Sequence, residues 1–126
     1  MPGMVLIVED ERLLARTLST ALREAGMKPV IAASAEQAEK NLGAAEFDVV
    51  VLDNRLPKGS GIDLLRKMRE RGLQSRVIFM TAYETREVKA EARKLKADRY
   101  VKKPFDLTSM LETIQELLPE GSGGAR

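Results

Sequence analysis

The run Asp48-Val49-Val50-Val51-Leu52-Asp53 limits how this chain can fold more than any other segment. Its apolar residues are consecutive and lack helical period, so they read as a strand buried on both faces. Such a strand belongs in the middle of a parallel sheet with helices on each side. Shorter runs flank it. Met4-Val5-Leu6-Ile7-Val8 and Arg76-Val77-Ile78-Phe79-Met80-Thr81 read as buried strands. Residues 30–33, preceded by Pro29, suit an edge. Arg99-Tyr100-Val101-Lys102 is mixed in character and also reads as an edge strand.

Helical patterns lie between these runs. Leu14, Leu18, Ala21, Leu22 and Ala25 share a helix face, and Gly26 stands where a left-handed residue ends a helix. Ser34 and Gln37 form a capping box ahead of a helix that carries Ala38 and Leu42. Ile62, Leu65 and Met68 mark a third helix, ending near Gly72. Residues 84–96 predict a charged fourth helix with a thin apolar stripe of Val88, Ala92 and Leu95. Arg86, Lys89, Arg93 and Lys96 share one of its faces, which is either solvated or a partner surface. The last helix carries Leu107, Met110, Leu111, Ile114, Leu117 and Leu118 and stops at Pro119. Strand then helix, five times over, predicts an α/β fold with right-handed crossovers.

The 126 residues suit one domain, expected over 1–119, with the Gly-rich residues 120–126 as a flexible tail or linker. Charges nearly balance, 21 Lys and Arg against 19 Asp and Glu, so nothing draws the chain strongly to nucleic acid or a membrane. No run approaches the roughly 20 apolar residues of a membrane span. Met1-Pro2-Gly3 does not begin a secretory signal, and without Cys there is no disulfide, so a cytoplasmic location is expected. The absence of His as well leaves oxygen as the only metal donor, favouring Mg²⁺ or Ca²⁺ over Zn²⁺.

In open parallel sheets, ligands bind beyond the carboxyl ends of the strands. There the sequence places Glu9-Asp10-Glu11, Asp53, Thr81 and Lys103-Pro104. No Gly-rich cradle follows the first strand, which disfavours a dinucleotide site. Glu9, Asp10 and Asp53 would converge and repel one another unless a cation joined them, most simply Mg²⁺. Carboxylates, a hard cation, the Thr81 hydroxyl and the Lys103 ammonium are equipment for phosphoryl transfer, and a carboxylate can itself be the nucleophile. Taken singly, each has a plainer role: an Asp or Thr at a strand end commonly caps a helix, and acidic residues offset a helix dipole.

Together these motifs resemble the response-regulator receiver family of two-component signalling, over roughly residues 4–118. The acidic pair is Glu9-Asp10; the phosphorylated Asp, with Pro four and Gly eight residues on, is Asp53, Pro57 and Gly61. The Thr-Ala pair is Thr81-Ala82, the Lys-Pro pair is Lys103-Pro104, and the switch aromatic is Tyr100. The resemblance implies a flavodoxin-like doubly wound (βα)5 fold with strand order 2-1-3-4-5. It implies that Asp53 accepts a phosphoryl group from a sensor histidine kinase or phosphotransfer protein. Asp10, Asp53, the Arg55 backbone carbonyl and, through water, Glu9 would bind Mg²⁺. Thr81 and Lys103 would grip phosphate oxygens, and Pro104 would follow a cis bond. Phosphorylation would draw in Thr81 and Tyr100 and reshape the surface of the fourth helix, fifth strand and fifth helix.

The family pattern also carries departures. Glu9 stands where Asp is more frequent, and Lys96 where Gly often closes the fourth helix. Arg55 and Tyr83, at variable positions beside the site, are bulky enough to hinder attacking water, so slow self-dephosphorylation is expected. The output would be an attached domain, typically controlling transcription, or a partner protein, with phosphorylation-dependent homodimerisation a further expectation and no direct nucleic-acid binding by this domain. Rival readings are a phosphorylation-independent interaction module and a Mg²⁺-dependent phosphatase. The latter typically has a second Asp two residues after the nucleophile, where this chain has Arg55.

Overall fold

Every residue of the central strand is buried, as its four consecutive apolar residues require and its terminal Asp does not. In the computed structural model, which describes residues 3–119, the chain runs β1 (Met4–Val8), α1 (Arg12–Glu24), β2 (Lys28–Ala32), α2 (Ala35–Ala44) and β3 (Val49–Asp53). It continues through a hairpin, β4 (Arg55–Leu56) and β5 (Gly59–Ser60), then α3 (Gly61–Glu70), β6 (Arg76–Thr81), α4 (Arg86–Lys94), β7 (Arg99–Lys102) and α5 (Leu107–Leu117). The expected tail, 120–126, lies outside the described residues. The main sheet is all parallel in the order β2-β1-β3-β6-β7. With the hairpin left out, this is the expected 2-1-3-4-5 doubly wound fold. No helix among the described residues is long and apolar enough to cross a membrane.

Strand side chains alternate between faces, so each central strand feeds two cores. Leu6, Val8, Val50, Leu52, Val77 and Phe79 meet α2 and α3. Val5, Ile7, Val49, Val51, Ile78 and Met80 meet α1 and α5 through Leu18, Leu22, Met110 and Ile114. This division explains why the strands carry apolar residues at successive positions while α1 and α3 carry them on one stripe.

Local signals set most of the helix ends. Gly26 and Gly72 adopt positive φ. Ser34 Oγ accepts from Gln37 N, but the Gln37 side chain reaches back to Ala33 N, one residue beyond the usual capping-box partner. The fourth helix is shorter than its expected span of 84–96. Thr85 caps it by accepting from Val88 N, and Lys96, at φ 63°, lies beyond its end rather than on its basic face. Among its residues only Ala92 is buried.

The far end of α4 is nonetheless held firmly. Arg69 donates to the carbonyls of Leu95, Leu73, Ser75 and Lys96 at 2.9–3.1 Å, and Asp98 lies 3.9 Å away. One guanidinium thus ties the ends of α3 and α4 to the start of β6. Lys has one nitrogen and cannot span these acceptors. Arg69→Met is expected to cost about 2–3 kcal/mol, with Arg69→Lys recovering little of it. Urea unfolding of the variants checks this, and a midpoint like wild type for Arg69→Lys would show that charge alone suffices.

Candidate functional site

The parallel sheet brings the ends of β1, β3, β6 and β7 to one edge. Glu9 follows β1, Asp53 and Thr81 are the last residues of β3 and β6, and Lys103 follows β7. Glu9, Asp53 and Thr81 are at most 4% exposed, whereas Asp10 is open to solvent. One carboxylate oxygen each from Glu9, Asp10 and Asp53 lies within 4.8 Å of the others. Lys103 Nζ donates to Glu9 Oε1 at 2.7 Å and to Asp53 Oδ2 at 3.4 Å. Glu9 Oε2 accepts from Glu11 N at 3.0 Å, so both oxygens of this buried carboxylate are engaged. The peptide bond between Lys103 and Pro104 is cis, as expected.

Burial and the neighbouring charge of Glu9 push the Asp53 carboxyl up to about 6, although Lys103 pulls the other way. Burial lowers Lys103, but its hydrogen bond to Glu9 and the charges of Asp53 and Glu9 outweigh this and hold the ammonium above its usual value. Three carboxylates against one ammonium leave two negative charges, the complement of a divalent cation. The all-oxygen donor set suits a hard ion such as Mg²⁺.

Other predicted residues take more specific places. The Thr81 hydroxyl donates to Tyr83 O and accepts from Tyr83 N, so it bonds to the loop before α4. Tyr100 is half-buried on β7 with its ring stacked on Phe79, centroids 5.8 Å apart, and its buried hydroxyl has no partner among the described residues. Burial, followed by the charge of Glu84, raises its pKa. Arg55 lies over the Tyr83 ring at 4.6 Å. Pro57 and the left-handed Lys58, φ 56°, turn the hairpin, which pairs Arg55 with Ser60 and Leu56 with Gly59. Gly61 permits a close approach: a Cβ there would stand 2.5 Å from Asp53 O.

Two neighbours of the site escaped sequence reasoning. Asn54 Oδ1 accepts from Ile62 N across the hairpin. Glu84 bridges Lys89 of α4 and Lys102 of β7, with Lys89 over the Tyr100 ring. Neither pairing has a periodic signature, because each joins residues across a loop.

A doubly wound domain with an acidic cluster and one buried-facing lysine at the carboxyl edge of its sheet defines a receiver-type signalling module. The family model described as response regulator receiver domain matches residues 5–115, and the chain belongs to that family. It is therefore a receiver domain of the two-component response-regulator type, a signalling domain rather than a conventional enzyme. It is 36% identical over 113 residues to the transcriptional regulatory protein CutR of Streptomyces coelicolor, covering 90% of this chain and 52% of CutR. It is 32% identical to the transcriptional regulatory protein QseB of Escherichia coli O157:H7, covering 96% and 55%. The chain thus spans about half the length of these curated relatives. A CheY-like receiver domain from Methanospirillum hungatei superposes with TM-score 0.89 at 27% identity, covering 92% of this chain and 93% of that one. The response regulator TrrA of Thermotoga maritima, solved in complex with Mg(2+)-BeF, gives TM-score 0.81 at 28% identity, covering 92% and 99%.

The raised Asp53 pKa has a definite sign for stability. Between the ordinary carboxyl value of 3.8 and about 6, the folded state keeps a proton that the unfolded chain has released. Stability therefore falls as pH rises through that window and levels off above it. Asp53→Asn removes the cost of the buried charge. At neutral pH without divalent cations it is expected to stabilise the fold by on the order of 2 kcal/mol, raising Tm by roughly 5–10 °C. Thermal melts in chelator check this. A gap that persists unchanged at pH 4 would contradict the electrostatic origin.

Proposed function

We propose that Asp53 is the phosphoryl acceptor and that the domain is a phosphorylation-controlled switch acting in the cytoplasm. The observation that carries this is the convergence of Glu9, Asp10 and Asp53 with Lys103 bridging two of them. In this reading Asp10, Asp53, the Arg55 carbonyl and, through water, Glu9 would hold Mg²⁺, which when bound would supply charge neutralisation for the transferring oxygens.

The donor is a phosphohistidine on a sensor histidine kinase or phosphotransfer protein. An Asp53 oxygen forms the new bond to phosphorus, the phosphorus–nitrogen bond breaks, and the imidazole takes its electron pair. Lys103 then binds a phosphoryl oxygen. Thr81 leaves Tyr83 to donate to another. The loop before α4, released from the Thr81 hydroxyl, shifts, and Tyr100 adjusts with it. The surface of α4, β7 and α5 then changes shape by a shift between pre-existing conformations. The two named transcriptional regulators are about twice as long as the matched segment, which supports an attached output domain controlling transcription, and the same surface would serve a phosphorylation-dependent homodimer.

Intact mass after treatment with acetyl phosphate tests the chemistry. Wild type is expected to gain one phosphoryl group only with Mg²⁺, and Asp53→Asn none. No gain in folded protein would leave phosphorylation-independent binding as the function.

The Arg55–Tyr83 stack supports a slow loss of the phosphoryl group, since both side chains crowd the approach of water. Replacing both with Ala is expected to shorten the label's half-life roughly three- to tenfold, about 1 kcal/mol on the barrier. Loss within seconds from the wild type would contradict the shielding.

A further inference from the structure

Asn54 takes no part in the chemistry above, yet it ties together the two ends of the loop that follows Asp53. Its backbone N–H donates to Met80 O at 3.1 Å, anchoring it to β6. Its carbonyl accepts from Gly61 N at 2.8 Å, and its side-chain Oδ1 accepts from Ile62 N at 3.2 Å. The first amides of a helix have no partner within the helix. Here Asn54 satisfies those of Gly61 and Ile62, and Ser60 Oγ satisfies that of Asp63. Ser60 is already the cap of α3, so Asn54 is not needed for ordinary capping.

What Asn54 adds is closure. Residues 55–60 leave and return through a neck made by this one residue, and the missing side chain of Gly61 allows the neck to close against Asp53. The loop lines a cavity of about 550 Å³ through Asn54, Arg55, Pro57 and Ser60, and Asp10 belongs to the same lining.

We infer that Asn54 is a positioning residue: its side chain holds the loop closed so that the Arg55 carbonyl is presented, already ordered, to the cation held by Asp10 and Asp53. The inference rests on the proposed cation site. With the Oδ1 bond removed, the Ile62 amide loses its partner and the loop is held by its backbone bonds alone, so part of its ordering falls to ion binding, a cost that appears as weaker affinity.

Calorimetric Mg²⁺ titration, with no phosphoryl donor, is paired with hydrogen exchange at the Gly61 and Ile62 amides. Asn54→Ala is expected to lose protection at Ile62 and to bind Mg²⁺ roughly tenfold more weakly, the scale usual for loss of a residue that orients a ligand. Asn54→Asp keeps an oxygen at the same place and is expected to keep both protection and affinity. Should Asn54→Ala be too unstable to titrate, Asn54→Ser, whose hydroxyl is too short to span to Ile62, takes its place with the same expectation. Wild-type Mg²⁺ affinity in a variant whose Ile62 amide exchanges freely would overturn the inference and leave Asn54 a stability element. Weakened binding with Ile62 still protected would overturn it too. A wild-type protein that binds no Mg²⁺ would remove the cation site itself, a failure distinct from equal binding by wild type and variant.

Discussion

Lys103 is the counter-charge on which the carboxyl edge of this sheet depends. Two buried carboxylates stand at the ends of β1 and β3, and a third, on Asp10, lies within reach of them. Lys103, from beyond the edge strand β7, bridges the buried pair. Removing Lys103 would leave both buried carboxylates uncompensated, a change that typically costs several kcal/mol. Burial and the neighbouring charge of Glu9 still hold Asp53 raised to about 6 beside that one ammonium. The site is thus folded but under-neutralised, a state suited to taking up a cation and then a group whose oxygens Lys103 can bind.

The α4 side of the molecule shows a complementary asymmetry. Its C-terminal end is tied down by Arg69, and Arg66 of α3 reaches Glu91 at 3.0 Å. Its N-terminal end joins the loop that the Thr81 hydroxyl holds, and the helix buries little apart from Ala92. A helix fastened far from the site and lightly packed near it can respond to a change of hydrogen bonding at Thr81 without loss of the core. The exposed ion pairs of Glu84 with Lys89 and Lys102 add little energy by themselves. They do place charge around Tyr100, whose ring packs well and whose hydroxyl does not.

Local sequence determined the elements and the chemical inventory of this protein. Apolar runs without period are strands, the glycines at 26 and 72 stop helices, and Ser34 and the buried run 49–52 behave as their residue types require. These are properties of neighbours in the chain, so they can be read from it, and the strand limits put Glu9, Asp53, Thr81 and Lys103 at the strand ends, where the family resemblance singled them out. Tertiary structure alone decided how those residues pair. It set Glu9 rather than Asp10 as the main partner of Lys103, turned the Thr81 hydroxyl to Tyr83, laid Arg55 on the Tyr83 ring, closed the Asp53 loop through Asn54 and gathered four carbonyls around Arg69. Each of these contacts depends on where sheet order and loop closure bring groups together in space, and neither periodicity nor composition records such distances.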